Sequence, residues 1–137
     1  MATESVAIRE EAGVGGGVSG QGYQFHRTKL ANFKKALDAN PASLEAANRY
    51  WQALGSFGGE DVRSGGYLIE AYRACALASH AGVVALARAY QELFEKSGEP
   101  PRAELFDEEL IRALQTRLAE VSNGDRATVQ WVLASIA

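Results

Sequence analysis

Arg49-Tyr50-Trp51-Gln52-Ala53-Leu54 and Arg88-Ala89-Tyr90-Gln91-Glu92-Leu93 decide how this chain is read. The second stretch follows the first at a spacing of 39 residues and keeps arginine, aromatic, glutamine and leucine in step. The same spacing carries Phe33 onto Tyr72 and Ile111, and Ala36 onto Cys75 and Leu114. It also carries Trp51 and Tyr90 on to Val129, Leu54 and Leu93 on to Val132, and Gln52 and Gln91 on to Gln130. A fixed period of about 20–50 residues marks stacked supersecondary units, none of which buries its apolar face alone.

Outward from these stretches the pattern is helical. Leu30, Phe33 and Leu37 recur at helical spacing and predict a first helix over about 26–39. Asn40-Pro41 reads as an N-cap followed by proline at the first helical position. A second helix is then expected over about 41–54, striped by Leu44, Ala47, Trp51 and Leu54 and ended by Gly55. Leu68, Tyr72 and Cys75 predict a third over about 66–79, with a break at His80-Ala81-Gly82. Val83, Leu86, Tyr90 and Leu93 predict a fourth over about 82–97, stopped by Ser97-Gly98-Glu99-Pro100-Pro101. Asp107 caps a fifth over about 108–121, and Asp125 is expected to cap a sixth to about 136. No stretch alternates as a strand does. The expected fold is all-α: about six helices in three α-hairpins, a short solenoid or a compact bundle.

The chain has 137 residues, 47% of them hydrophobic and 23% charged, with a net charge of −3. That is one soluble globular domain with a core of its own. A mildly acidic balance lacks the basic stripe that nucleic acid or an anionic membrane requires. No apolar run approaches the roughly 18 residues of a transmembrane helix. The first residues lack the basic and apolar regions of a secretory signal. A single cysteine, Cys75, forms no internal disulfide and suits a cytoplasmic setting. Residues 13–22 hold six glycines in ten, so 1–25 reads as a flexible glycine-rich segment ahead of a domain spanning 26–137. A phosphate-cradling loop would need lysine and Ser/Thr after the glycines, whereas Gln21-Gly22-Tyr23 follows.

The pattern of Phe33, Ala36, Leu37 and Pro41, then Leu44, Ala47, Trp51, Gly55 and Phe57, resembles tetratricopeptide-type helical hairpins. Leu68, Tyr72, Cys75 and Ala76, then Val83, Leu86 and Tyr90, extend the resemblance, which covers about residues 33–98. The family unit is about 34 residues; the extra length here falls in the glycine-rich loop around 58–65. HEAT-like helix pairs and a bundle without repeats are competing descriptions. The tetratricopeptide resemblance implies a concave groove lined by the first helix of each unit. Ala42, Glu45, Arg49, Gln52 and Ala53 would face it from one unit, and Ala81, Val84, Arg88, Gln91 and Glu92 from the next. Arg49, Gln52, Arg88 and Gln91 would form one wall, able to fork N–H groups onto carboxylates of an acidic peptide. Each can equally be a solvated helix-face residue.

A second candidate is the loop 55–67, with Glu60, Asp61, Arg63 and Tyr67, since loops carry function disproportionately. His80 sits at a helix junction and His26 at a helix start, positions where histidine more often caps than catalyses. Cys75 lies on a buried stripe, where a thiol behaves as a small hydrophobe. There is no HExxH, CxxC or calcium loop, and Asp107-Glu108-Glu109 is explained by helix capping. No cofactor and no metal are expected. The function expected is a protein-interaction module without enzymatic activity: an adaptor, a chaperone-like factor or an immunity-type antagonist. The rivals are a homo-oligomeric structural subunit, such as a homodimer, and a small enzyme or ligand-binding domain using loop 55–67 and His80.

Overall fold

The computed structural model of the chain describes residues 20–57 and 64–137. It is all-α over these residues: α1 (Gly20–Ala39), α2 (Leu44–Phe57), α3 (Gly65–Ala78), α4 (His80–Ser97), α5 (Glu108–Arg117) and α6 (Asn123–Ile136). Short 3₁₀ turns at Ala103–Leu105 and Leu118–Glu120 flank α5. The loop residues Glu60, Asp61 and Arg63 lie outside the described residues, as do 1–19 and with them most of the glycine-rich segment.

Several helix ends differ from the sequence reading. α1 starts at Gly20 rather than near 26, so it takes in the end of the stretch read as a linker. Glycine costs a helix about 1 kcal/mol relative to alanine, which weakens a start without forbidding it. Asn40 and Pro41 do not begin α2. The Asn40 carbonyl accepts from Ser43 N–H at 3.0 Å, closing a turn with proline at its second position, where its fixed φ fits. Ser43 is the actual cap, its Oγ accepting from Ala46 N–H at 3.1 Å, and α2 runs through Gly55 to Phe57. Asp107 caps α5 as expected, accepting from Leu110 N–H at 2.8 Å. Asp125 does not cap α6: Ser122 occupies that position and Asp125 lies in the first turn.

Ser79 alone separates α3 from α4. Its extended backbone ends one helix, donating to Cys75 O at 3.1 Å, while its Oγ caps the next by accepting from Gly82 N–H at 3.1 Å. Gly82 lies against the backbone of the last turn of α3. A Cβ there would stand 1.9 Å from the Cys75 carbonyl oxygen, so only glycine fits. At the other end Tyr90 OH reaches Gly65 O at 3.4 Å, so α3 and α4 run antiparallel.

The contacts between alternate helices run in parallel. Lys34 of α1 meets Glu70 of α3 at 3.4 Å. Arg73 of α3 meets Asp107 and Glu109 at 2.8 and 2.9 Å, and Arg117 of α5 donates to Leu77 O at 2.9 Å. α1, α3 and α5 thus form one layer, and their C-terminal residues Ala39, Ala78 and Arg117 keep the 39-residue spacing. α2, α4 and α6 form the other. The core between the layers holds Trp51, Leu54, Tyr90 and Leu93, all at most 4% exposed, with Leu110, Leu114, Val129 and Val132 fully buried. Burying such side chains stabilises the fold by about 1.5–3 kcal/mol each.

Candidate functional site

The layer of α2, α4 and α6 contains two seams, and they differ. Between α4 and α6, contacts recur every three residues. Arg88 donates to Asp125 Oδ1 from Nε at 3.0 Å and from Nη2 at 2.5 Å. Thr128 Oγ1 lies 3.4 Å from Gln91 Oε1, and the rings of Phe94 and Trp131 pack with centroids 5.4 Å apart. This seam is closed.

Shifting each of those residues back by 39 gives their counterparts between α2 and α4: Arg49 with Leu86, Gln52 with Ala89, and Gly55 with Glu92. Where one seam has an aromatic pair, the other has a glycine and a carboxylate. Where one has threonine, the other has alanine. Arg49 finds no acid on α4 and turns to Glu45 on its own helix at 2.8 Å. A cleft of about 750 Å³ lies between α2 and α4, which approach each other less closely than α4 and α6 do. Trp51 and Tyr72 lie at its base, with Tyr72 OH donating to Asn48 Oδ1 at 2.6 Å. Gln52, Gly55 and Ser56 line it from α2, and Ala85, Arg88, Ala89, Glu92 and Lys96 from α4.

The residues expected on one wall are therefore divided. Gln52 and Arg88 share the cleft, as do Ala81, Val84 and Glu92. Arg49 and Ala53 line a separate depression of about 340 Å³ between α1 and α2, with Lys29, Leu30 and Phe33. Gln52 and Ser56 border both hollows. Gln91 faces α6, and neither Glu45 nor Ala42 lines the cleft. The single-wall arrangement is corrected on this point: Arg49 is drawn back by Glu45, and Gln91 is drawn sideways by Thr128. Neither arginine is in a buried ion pair, since Arg49 and Arg88 keep 61% and 65% of their side-chain surface exposed.

Asn48, Tyr72, Ala85 and Lys96 were not anticipated as lining residues. The signal for the cleft itself was present in the sequence: at the 39-residue spacing, Gly55 stands against Phe94, and Glu92 against Trp131.

The remaining candidates separate from the cleft. Tyr67 is exposed on α3. His80 opens α4 with Nδ1 3.5 Å from Glu120 Oε1, both on the surface. Cys75 is fully buried, its thiol 3.6 Å from Pro41 O, and burial pushes its pKa up, away from the reactive thiolate. Among the described residues no group of three His, Cys, Asp or Glu side chains could hold a metal ion, and no helix is long and apolar enough to cross a membrane. No protein-family model, curated protein or solved structure matches the chain.

Proposed function

We propose that this chain is a protein-interaction module and that the α2–α4 cleft receives a short segment of a partner protein. The observation that carries this reading is the contrast between the seams. Gln52 and Gly55 border an open hollow, whereas their counterparts one seam along, Gln91 and Phe94, meet Thr128 and Trp131 of α6. Mixed polar and apolar walls over an aromatic base suit a peptide, whose backbone and side chains need both. In the tetratricopeptide-like register this surface corresponds to the concave face. Pre-formed walls on packed helices also keep the ordering cost of binding low.

The test is a selection of displayed random peptides on the full chain. A variant with the open seam filled, Gly55→Phe with Glu92→Trp, serves as the comparison. The reading expects an enriched peptide family that binds the native chain at least about tenfold more tightly than the filled variant. Equal binding to both, or no enrichment, contradicts it.

A further inference from the structure

The hollow between α1 and α2, and not the α2–α4 cleft, carries an unbalanced charge. In the cleft Arg88 pairs with Asp125 and Lys96 with Glu92, so nothing there calls for a charged occupant. The hollow has an apolar lining of Leu30, Phe33 and Ala53, with Lys29 and Arg49 beside it and no acid among its lining residues. Arg49 is satisfied by Glu45. Lys29 is exposed, its ammonium 6.0 Å from the centre of the Phe33 ring, and no acid pairs with it among the described residues. The helix that carries it is basic: Arg27, Lys29, Lys34 and Lys35 stand on α1 against Asp38 alone. The chain preceding α1 has the opposite character. Residues 4–11, outside the described residues, read Glu-Ser-Val-Ala-Ile-Arg-Glu-Glu, three acids against one arginine around a short apolar run. Eight residues, 12–19, connect this segment to Gly20, and four of them are glycine. A glycine-rich connection of that length spans about 16 Å root mean square, and Leu30 lies about 15 Å along α1 from Gly20. A tether whose span matches its target gives the highest effective concentration.

We propose that residues 4–11 dock in the α1–α2 hollow of the same chain, running back along α1. In this arrangement Glu10 and Glu11 meet Lys29, while Val6 and Ile8 reach the apolar lining at Leu30 and Phe33. The order fits, since the acids lie nearer the connection and Lys29 lies nearer the start of α1 than Phe33 does. Charge and tether length together name the occupant. The tether holds it at an effective concentration of about millimolar, where even a weak contact is populated. The inference is separate from the partner segment of the cleft. Gln52 and Ser56 border both hollows, so the docked segment stands beside the cleft without filling it.

The test is a nitroxide label on Ser5→Cys in the full ¹⁵N-labelled chain; Cys75 is fully buried and stays unlabelled. Amide signals of Leu30, Phe33 and Ala53 are expected to lose most of their intensity, and those of Arg112 and Trp131 to keep theirs. Lys29→Glu changes an exposed residue, and its melting curve certifies the fold. It is expected to restore the lost signals, and Lys29→Glu combined with Glu10→Lys and Glu11→Lys to quench them again. This rescue separates docking from a segment that merely sweeps past α1. No quenching at Ala53, quenching that Lys29→Glu leaves unchanged, or a charge reversal that recovers nothing overturns the proposal. Quenching centred on Ala85 and Arg88 also overturns it, by assigning the segment to the α2–α4 cleft. Quenching of a label-free ¹⁵N chain by an added spin-labelled ¹⁴N chain makes the occupant a second copy and overturns the same-chain assignment.

Discussion

The α4–α6 seam and the α2–α4 seam are built from corresponding residues, yet one is closed and the other is a cleft. The closed seam is held by an ion pair, a polar contact and an aromatic pair at successive three-residue steps. The open seam keeps the arginine and the glutamine, but Leu86, Ala89 and Glu92 stand where Asp125, Thr128 and Trp131 stand one unit on, and Arg49 pairs with Glu45 of its own helix. The difference lies in the backbone as well as the side chains: α4 and α6 approach closely, whereas α2 and α4 stand further apart, α2 packed on α1 and α3, and α4 mainly on α3.

That explanation can be broken most severely from below. Trp51 packs in the core and also forms part of the cleft base, so Trp51→Ala should cost about 3–5 kcal/mol by denaturant unfolding. An unchanged midpoint would place the ring outside the common layer and remove the rigid floor on which the contrast depends. Gly82→Ala comes next. It forces a methyl group against the Cys75 backbone at the hinge between α3 and α4, and should cost about 3 kcal/mol. Normal stability in this variant would mean that α4 can move, in which case the open seam is not held open.

Asp107 sharpens the account of the lower layer. Arg73 and the Leu110 N–H hold its carboxyl below the usual carboxylate range. A group whose pKa is lower folded than unfolded gives stability that is complete above the unfolded value, near 3.9, and lost as pH falls below it. Asp107→Ala should cost about 1 kcal/mol at neutral pH through loss of the cap. Asp107→Asn keeps the cap, and its Tm should fall less than that of the native chain on acidification from about pH 5 to pH 2. Parallel acid profiles would show that Arg73 and Asp107 do not couple α3 to α5.

Smaller effects probe the seams themselves. Phe94→Ala removes half of the aromatic pair that closes α4 against α6, and should cost about 1 kcal/mol. The paired change Gly55→Phe with Glu92→Trp should raise stability by up to about 1 kcal/mol by supplying the missing contact. Arg88→Ala should alter stability by less than about 0.5 kcal/mol, because its ion pair is exposed on the arginine side. Loss of several kcal/mol in Arg88→Ala would make this residue part of the scaffold rather than of the cleft.

Much of the fold was legible from apolar spacing alone. The stripes of α2, α4, α5 and α6 predicted the burial of Trp51, Leu54, Tyr90, Leu93, Leu110, Leu114, Val129 and Val132. Caps were read less well where two candidates lay close together. Asn40 and Ser43 both precede α2, and only the turn closed through Pro41 selects Ser43. The break at Ser79 carries no glycine or proline signal, because a single extended residue ends one helix and starts the next. In the site, Gln52 and Arg88 were found from their recurrence. Arg49 and Gln91 were misplaced because recurrence fixes a helix face, while the direction of a long side chain depends on which partner it finds. Glu45 and Thr128 supply those partners, and neither pairing follows the 39-residue spacing.

The central claim is that the α2–α4 seam, and not its closed counterpart, accepts a partner segment. Its most direct test is an NMR titration of the full chain with the tightest peptide from the selection. Resonances of Asn48, Gln52, Ala85, Arg88 and Glu92 should shift together and saturate, while those of Gln130 and Ala134 on α6 stay in place. Shifts centred on α6, or on the surface around Tyr67 and His80, would contradict the account.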